Sequence, residues 1–145
     1  MNNKNLRNVL SKFATGVTIV STVDHNGKPV GMTANSFTSV SLDPPLVLWS
    51  IGINQPSYDV FLKAKGYSVS ILSKDQKDIC NLFSSSSDNK FNNIDYILSE
   101  NGFPIIQKSL AWFDCIKWNN YPGGDHQILV GEVKNFYANE KDPLI

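Results

Sequence analysis

The sequence has 145 residues with 13 basic and 13 acidic side chains, so its formal net charge is zero. A chain of this length is expected to fold as a single domain over residues 1–145, and its apolar content of 41% is typical of a soluble globular protein. The basic residues are one arginine, Arg7, and scattered lysines. This pattern argues against a nucleic-acid partner, because proteins that bind nucleic acids concentrate positive charge on one face.

Two isolated cysteines, Cys80 and Cys115, have neither the CxxC spacing of a zinc or redox motif nor a nearby pair of histidines. They are typical of reduced core residues in a cytoplasmic protein. No N-terminal apolar segment resembles a signal peptide, and no apolar run approaches the length of a membrane-spanning helix. We therefore expect a cytoplasmic protein without a metal site.

The N-terminal segment begins with apolar residues at helical spacing. They predict a short amphipathic helix that ends near Thr15-Gly16 and buries one stripe, formed by Leu6, Val9, Leu10 and Phe13. The β-branched run at 17–22 then predicts a strand. The turn signal at 24–27, which contains His25, should join this strand to the next segment in a hairpin.

The stretch from Gly31 to Pro45, GMTANSFTSVSLDPP, is rich in hydroxyl side chains and has no lysine, arginine or histidine. A surface loop of this length usually carries charge, and a core strand usually carries Val, Ile and Leu. Small donors and acceptors on an accessible backbone suit a neutral polar ring system and a phosphate. The alternative reading is a Ser/Thr-rich edge strand and turn that binds no ligand.

The middle of the chain predicts alternating strands and helices. The apolar run at 46–51 predicts a strand buried on both faces. A helix is predicted over 54–65, with Pro56 in its first turn and an oxygen-bearing side chain as its cap. The N-terminus of this helix, at Ser57, is a candidate phosphate site, because free N–H groups and the helix dipole point there. Another strand is predicted at 67–72.

The next segment predicts a second helix and a polar loop. Residues 73–76 have the capping-box pattern that precedes a helix. The serine-rich stretch 84–91 is either a flexible surface loop or a loop that orders around a phosphate, with Lys90 supplying the charge. Residues 94–101 predict a short helix or turn.

Two long strands, at 110–118 and 127–137, are predicted near the C-terminus, with a loop at 119–125 between them. The chain then has about five or six strands and two or three helices, and its strands are adjacent in sequence. This order favours an antiparallel barrel with helices at its rim.

Common catalytic signatures are absent, since the chain has no GxxxxGK, GxGxxG or HExxH motif and no motif for a serine or cysteine nucleophile. The histidine in a suggestive place is His126, which follows Gly123-Gly124-Asp125 at the start of a predicted strand. Asp125 either orients this histidine or is a simple turn residue. Taken alone, a histidine after two glycines is more often structural than functional.

Longer sequence elements resemble one family across nearly the whole chain. In order they are FATGVTIV at 13–20, GMTANSFTSVSLDPPLVL at 31–48, LSKDQ at 72–76, Cys115, and Gly124-Asp125-His126 running into Gly131-Glu132-Val133. The chain resembles the short flavin reductases, the FMN-binding split-barrel proteins that include reductase components of two-component flavin monooxygenases. The central block is the most specific of these elements.

The resemblance implies a mostly β fold, a six-stranded antiparallel split β-barrel of Greek-key type with a few peripheral helices, assembled as a homodimer. It implies FMN or FAD as the cofactor, NADH or NADPH as the co-substrate, and a flavin-dependent monooxygenase as the recipient of reduced flavin. Hydride transfer between the two cofactors needs no protein nucleophile, only binding and orientation.

The same resemblance implies the site residues. It places His126 on the nicotinamide side as the catalytic residue. The implied flavin contacts are Thr33, Ala34, Asn35, Ser36, Ser39, Ser50, Ile51, Gly52, Ser57, Phe83, Ser84 and Lys90.

Two other functions are compatible with a flavin-binding barrel, because fold does not settle reaction. A flavin carrier or storage protein would need the flavin segment but not His126, so the Gly-Asp-His element favours a reductase. An oxidase similar to pyridoxamine-phosphate oxidases must hold a phosphorylated amine, and the shortage of arginine argues against it.

Overall fold

The computed structural model describes residues 1–145. It contains three helices and nine strands, in the order α1 (Asn3–Leu10), β1 (Thr18–Val23), β2 (Pro29–Ala34), β3 (Thr38–Leu42), β4 (Pro45–Gly52), α2 (Tyr58–Lys63), β5 (Gly66–Ile71), α3 (Lys77–Ser84), β6 (Tyr96–Leu98), β7 (Pro104–Ile106), β8 (Ala111–Gly123) and β9 (His126–Ala138).

Seven strands form one antiparallel sheet in the order β2-β1-β5-β8-β9-β4-β3, and β6 pairs with β7 in a separate hairpin. The mostly β class is confirmed, and so is the predicted hairpin of β1 with β2. The six-stranded barrel was wrong. The sheet has seven strands, and its edge strands β2 and β3 do not pair with each other, so the sheet is not closed.

The hydroxyl-rich stretch 31–45 accounts for the additional strand. It divides around residues 35–37 into the end of β2 and the whole of β3, which pair with different neighbours, β1 and β4. At the division, Ser36 Oγ accepts a hydrogen bond from the Ser50 backbone N–H at 2.9 Å, so the connection is attached to β4. Composition does not show where one polar extended segment ends and the next begins.

Helix α1 forms in the predicted segment, and Asn2 Oδ1 caps it by accepting from Lys4 N at 2.9 Å and Asn5 N at 3.2 Å. Its predicted end near Thr15-Gly16 was wrong, because the helix ends at Leu10 and Phe13 lies beyond it. The predicted burial of its apolar stripe was wrong, because Leu6, Val9, Leu10 and Phe13 are 43%, 68%, 62% and 81% exposed. Helical spacing shows that one face is apolar but not what covers that face. None of the three helices has the length and apolar character needed to span a membrane.

Helices α2 and α3 begin later than predicted. Pro56 precedes α2, and Ser57 at the N-cap makes no side-chain capping hydrogen bond, so the predicted cap was wrong. Only half of the capping box before α3 is present: Gln76 Oε1 accepts from the Ser73 N–H at 3.0 Å. The Ser73 hydroxyl donates to the Asp75 carboxylate and accepts no bond from a helix N–H, so the other half of the box is missing.

Of the helix or turn predicted at 94–101, the helix does not form, and the turn is confined to the end of the segment, after the unpredicted strand β6. The turn is held by a long-range contact. Asp114 of β8 is fully buried and accepts from Ser99 Oγ at 2.8 Å, from Asn101 Nδ2 at 2.8 Å and from Asn135 Nδ2 at 3.0 Å. Asp114 therefore ties the turn between β6 and β7 to β8 and β9.

Strands β8 and β9 are confirmed but are longer than predicted, with 13 residues each. Most of the predicted loop at 119–125 belongs to β8, and Gly123 pairs directly with His126. The turn is therefore only Gly124-Asp125, and Gly124 has a φ of 65°, a left-handed conformation that glycine adopts at little cost.

The core beneath the sheet is aromatic. Trp49 meets Phe61 and Tyr67 edge to face, with ring centroids 4.9 Å and 6.1 Å away. Gly131 is a glycine because a Cβ there would lie 2.8 Å from Tyr67 Oη and 2.9 Å from the Cβ of Cys115. Burial raises the pKa of Cys115 to about 12, and both cysteines are free. This packing holds β4 against β9 in the register that places Gly52 opposite His126.

Candidate functional site

A cavity of about 480 Å³ opens between β2, the segment before α2 and the loop after α3. The structure brings five of the predicted flavin contacts together in its wall: Thr33, Ser57, Phe83, Ser84 and Lys90. These residues come from distant parts of the sequence. They meet because α3 packs across β2, where Thr33 Oγ1 donates to the Cys80 carbonyl at 2.7 Å.

Gly31 lines this cavity, and the absence of a side chain at this position allows neighbouring side chains to pack against its backbone. A Cβ at Gly31 would lie 3.0 Å from the Phe83 ring, from the Phe91 ring and from Ser21 Oγ. The rings of Phe83 and Phe91 meet edge to face with centroids 5.0 Å apart. The glycine therefore lets the start and the end of the loop after α3 pack directly on β2.

Lys90 is the half-buried cation of the cavity. Its Nζ donates to the Phe83 carbonyl at 3.0 Å and to the Gly31 carbonyl at 3.2 Å, and it forms no ion pair with a carboxylate. Burial lowers the pKa of this lysine. Because an ammonium group has three N–H donors, one remains for an anion in the cavity.

The serine run after α3 has two parts. The hydroxyls of Ser84 and Ser85 donate to the carbonyls of Cys80 at 2.8 Å and Leu82 at 2.6 Å, and so complete the C-terminal end of the helix. Ser87 Oγ accepts from the Asn89 N–H at 3.1 Å, which leaves its hydroxyl hydrogen free to donate. Ser86 Oγ has no side-chain hydrogen bond. The available donors are therefore Ser86 and Ser87 rather than the predicted Ser84.

The cavity wall contains 14 further residues, including the carboxylates of Asp24 and Asp88. Ser85, Ser86, Ser87 and Asp88 lie in the serine-rich stretch 84–91, for which a phosphate-binding loop was one of the two readings. Asp24, Lys28 and Gln55 were not predicted. Nothing in the sequence near Lys28 or Gln55 distinguishes them from ordinary turn residues.

The remaining predicted contacts lie beyond this cavity, near the ends of β2 and β4. Asn35 is exposed and its amide has no hydrogen bond. Ser36 and Ser50 come together through the bond described above and a second one, from Ser36 Oγ to the Ser50 carbonyl at 3.2 Å. Ala34 is buried, and Ile51 is fully buried in the core, so only its backbone is available to a ligand. Ser39 is exposed on the edge strand β3 and does not join either group.

His126 lies at the start of β9, paired with Gly52. Its Nδ1 is 2.8 Å from Asp125 Oδ1, and this hydrogen bond lowers the pKa of the Asp125 carboxyl. Because Asp125 can only accept, Nδ1 carries the hydrogen and Nε2 is left to face other groups. The His126 side chain is 48% exposed.

Gly52 connects the two groups of residues. A Cβ at Gly52 would lie 3.7 Å from His126 Nε2 on one side and 3.7 Å from Gln55 Cγ on the other. Gln55 lines the cavity, and Gly52 lies next to both Gln55 and His126, so His126 is close to the cavity wall. The arrangement offers a half-buried cation and hydroxyl donors at one end, and amide, hydroxyl and imidazole groups at the other. It is suited to an anionic ligand that carries a planar polar ring.

The family model described as "Flavin reductase like domain" matches residues 10–145. The reductase component of the flavin-dependent trigonelline monooxygenase of Acinetobacter baylyi is 44% identical over 133 residues, which are 92% of this chain and 43% of that protein. The FMN reductase (NADH) SmoA of Agrobacterium fabrum is 40% identical over 143 residues, 99% of this chain and 81% of that protein.

Solved structures agree with these sequence matches. The NADH:FAD oxidoreductase SgcE6 of Streptomyces globisporus C-1027, in complex with NAD and FAD fragments, superposes with a TM-score of 0.93 at 36% identity. The match covers 98% of this chain and 86% of that one. A probable flavin reductase of Rhizobium meliloti is longer, like the trigonelline relative, and this chain spans 42% of its length.

Proposed function

Since the chain belongs to the flavin reductase-like domain family, we propose that it is an NAD(P)H:flavin oxidoreductase that transfers a hydride from the nicotinamide to FMN or FAD. The observation that carries this proposal is the cavity around Lys90, where a half-buried cation without a carboxylate partner faces hydroxyl donors beside the family's hydroxyl-rich segment. A bound flavin supplies the redox chemistry, and the protein supplies binding and orientation.

The phosphate of the flavin is proposed to bind at the Lys90 end of the cavity. The third N–H of Lys90 and the hydroxyls of Ser86 and Ser87 are the donors available there, and the Ser57 hydroxyl, which donates only weakly to Met32 Sδ at 3.8 Å, can turn towards them. A charge-assisted hydrogen bond from a lysine to a phosphate is stronger than a bond between neutral groups. The residues present therefore fit a phosphorylated cofactor.

The ring of the flavin is proposed to lie towards the ends of β2 and β4. Asn35 has a free amide that can both donate and accept, and the Ser36–Ser50 bridge holds the neighbouring backbone in place. Ala34, Ile51 and Gly52 contribute backbone and small apolar surface. Thr33 acts indirectly, because its hydroxyl is used to hold α3.

His126 is proposed to contact the nicotinamide. Asp125 fixes the tautomer and the direction of the ring, so Nε2 is presented beside Gly52. Hydride transfer moves no proton through the protein, so the role assigned to His126 is to position the nicotinamide ring rather than to act as an acid.

The assay that tests the function follows the oxidation of NADH and of NADPH by the purified protein with and without added FMN or FAD. Flavin-dependent oxidation supports a reductase. Flavin binding without oxidation of either nicotinamide would contradict it and support the carrier alternative. Absence of flavin binding would reject both.

The exposed apolar surface supports the further proposal that the protein is a homodimer. Large apolar side chains face solvent on the α1 helix, just after it, and on β3, β8 and β9, namely Leu6, Val9, Leu10, Phe13, Val40, Leu42, Trp118, Tyr121, Phe136 and Tyr137. A second copy of the chain that covered part of this apolar surface would stabilise a dimer. Sedimentation that shows only monomers at micromolar concentration would contradict this proposal.

Several relatives are named as reductase components of flavin-dependent monooxygenases, and we propose that this chain supplies reduced flavin to an oxygenase of that class.

We also propose that the protein is cytoplasmic. The free thiols of Cys80 and Cys115 fit the reducing conditions of that compartment.

Replacing Asn35 by leucine is expected to lower flavin affinity by about tenfold while the protein remains folded. The polar edge of the ring would then face an apolar group and leave a hydrogen bond unmade, which costs about 1–3 kcal/mol. Quenching of flavin fluorescence measures the dissociation constant. Asn93→Leu is the matched control, since Asn93 is equally exposed and lies outside the site. Unchanged affinity in a folded Asn35→Leu variant would show that the ring lies elsewhere.

Replacing His126 by alanine is expected to lower kcat/KM for NADH by about two- to tenfold at saturating flavin, with flavin affinity unchanged. The loss corresponds to one hydrogen bond of about 0.5–1.5 kcal/mol. A general acid would contribute about a hundredfold or more, so the size of the effect separates the two roles. His126→Gln should restore part of the activity. Weakened flavin binding in His126→Ala would instead place the histidine on the flavin side.

A further inference from the structure

Three aromatic rings join the Lys90 end of the cavity to the β6–β7 hairpin. Phe83 lies near the end of α3, and Tyr96 begins β6. Between them is Phe91, the residue that follows Lys90 in the chain. The Phe83 and Phe91 rings meet edge to face with centroids 5.0 Å apart, and the Phe91 and Tyr96 rings meet in the same way at 5.2 Å. Aromatic pairs favour this geometry, so Phe91 is held between rings of two separate elements.

Phe91 also packs on β2 and on the residues beneath the loop. Its Cζ lies 3.0 Å from the position that a Cβ of Gly31 would take. The half-buried ring packs against an apolar cluster formed by Ile19, Leu72, Phe83 and Ile106. The place of residue 91 is therefore set by contacts on several sides.

The loop at 86–91 has few other connections to the rest of the chain. Apart from those of Lys90, its hydrogen bonds join only residues between 85 and 92. The Lys90 ammonium donates to the carbonyls of Gly31 and Phe83, the same two residues against which the Phe91 ring packs. One cation and the ring next to it in sequence therefore hold this loop on β2 and α3.

The charge of Lys90 is not neutralised by a neighbour. The titratable groups that face it across the cavity are Asp24 and Lys28 of the β1–β2 turn and Asp88 of its own loop, and the parts of β2, α2 and α3 in the cavity wall carry none. None of these groups forms an ion pair with Lys90. The burial of its ammonium therefore comes from the packing around its side chain.

We propose that Phe91 is a positioning residue of the phosphate site, which holds the Lys90 ammonium half-buried with its free N–H towards the cavity, and that Tyr96 supports Phe91 from the hairpin. This inference rests on the proposed function. Because Phe91 acts through Lys90, its removal should affect a flavin that carries a phosphate and spare one that lacks it.

The first experiment uses Phe91→Leu, which removes the ring and keeps an apolar side chain on the cluster. We expect FMN affinity to fall by about two- to tenfold, the range that an aromatic pair contributes, and riboflavin affinity to change by less than about twofold. Fluorescence quenching measures both. Equal losses for FMN and riboflavin would overturn the positioning role, because they would show a direct contact with the flavin or a general change of shape.

The second experiment repeats the change in the Lys90→Met background. If Phe91 acts through Lys90, Phe91→Leu should lower FMN affinity by less than about a further twofold once the cation is gone, since the two residues then act as one unit. The same loss in both backgrounds would overturn the inference. So would an undiminished FMN affinity in Lys90→Met alone, because Phe91 would then have no phosphate-binding cation to position.

The pH dependence gives a readout that loss of stability alone would not move. Burial lowers the pKa of Lys90, and removal of the ring should return this pKa towards that of an exposed lysine. The alkaline fall in FMN affinity should therefore occur at a higher pH in Phe91→Leu than in the wild type. A fall at the same pH would show that Phe91 does not keep the ammonium buried.

Tyr96→Leu tests the same inference without a change in the cavity wall, since Tyr96 does not line the cavity. It should also lower FMN affinity, by a smaller factor than Phe91→Leu. Tyr96→Phe keeps the ring and removes a hydroxyl that makes no hydrogen bond within the chain, so it should restore the wild-type affinity. Equal affinities in Tyr96→Leu and Tyr96→Phe would overturn the support from the hairpin.

The outcomes separate this inference from the function on which it rests. If the wild type binds and reduces FMN, and neither Phe91→Leu nor Tyr96→Leu changes FMN affinity, the positioning role is overturned and the reductase stands. If the wild type binds neither FMN nor FAD, the proposed function fails, and the positioning role fails with it.

Discussion

Replacing Asp114 by alanine is expected to destabilise the protein by about 2–4 kcal/mol. The carboxylate is fully buried, and three side-chain donors bond to it, from Ser99, Asn101 and Asn135. Removing it breaks these charge-assisted hydrogen bonds, each of which contributes about 1.5–3 kcal/mol, and water replaces part of the loss because Ser99 and Asn135 are only partly buried and Asn101 is exposed. The change would also release the turn between β6 and β7, while β7 stays attached to β5 through Ser68 and Ser70.

Urea unfolding measures this loss as a lower midpoint at an unchanged slope. Asp95→Ala is the matched control, because Asp95 is exposed and its carboxylate makes no hydrogen bond, so it should change stability by less than about 0.5 kcal/mol. If Asp114→Ala is no less stable than Asp95→Ala, the hydrogen bonds around Asp114 do not hold the hairpin. Asp114→Asn should fall between the two, since an amide can satisfy only some of the donors.

Replacing Lys90 by methionine is expected to lower FMN affinity by about ten- to hundredfold. A hydrogen bond that involves a charged group contributes about 1.5–3 kcal/mol, and Lys90 is the half-buried cation of the proposed phosphate site. Methionine keeps the length and the apolar stem of the side chain but removes the ammonium, which lies 5.9 Å from the centroid of the Phe83 ring. Lys12→Met, an exposed lysine outside the cavity, is the control.

Riboflavin and pH separate the electrostatic role of Lys90 from its structural one. Riboflavin lacks the phosphate, so its affinity should be nearly the same in the wild type and in Lys90→Met. An equal loss for riboflavin and FMN would show that Lys90 acts only by anchoring the loop to Gly31 and Phe83.

Because burial lowers the pKa of Lys90, its ammonium loses its proton at a lower pH than an exposed lysine would. FMN affinity should therefore be full below that lowered pKa and fall as the pH rises through it. This alkaline fall should be absent in Lys90→Met.

Local sequence patterns were sufficient for most of the secondary structure. The β-branched run before Asp24 and the turn after it predicted the β1–β2 hairpin, because both depend on neighbouring residues only. The run at 46–51 and the two long C-terminal strands were predicted for the same reason. The hydroxyl-rich stretch and the Gly-Asp-His element also identified the family, which the match over residues 10–145 confirms.

Tertiary structure alone decided the closure of the sheet and the covering of its apolar faces. Closure requires β2 and β3 to pair, and whether two edges meet depends on the twist and register of all the strands between them. The exposure of the apolar residues of α1 likewise depends on whether another part of the fold packs against that helix. The β6–β7 hairpin depends on Asp114, which joins it from β8, so no window of sequence around 94–101 contains the deciding residue.

Some residues of the candidate site were also predictable from the sequence, and others were not. Residues within one segment, such as Asn35 and Ser36 or Ser84 and Lys90, could be proposed from composition and family resemblance. The sequence could not show that Thr33 and Ser84 spend their hydroxyls on the Cys80 carbonyl, or that Gln55 and Lys28 complete the cavity wall. Which groups remain free for a ligand depends on the hydrogen bonds the folded chain has already made. The bond from Ser84 forms within α3, but the bond from Thr33 joins residues 47 apart and exists only once α3 has packed on β2.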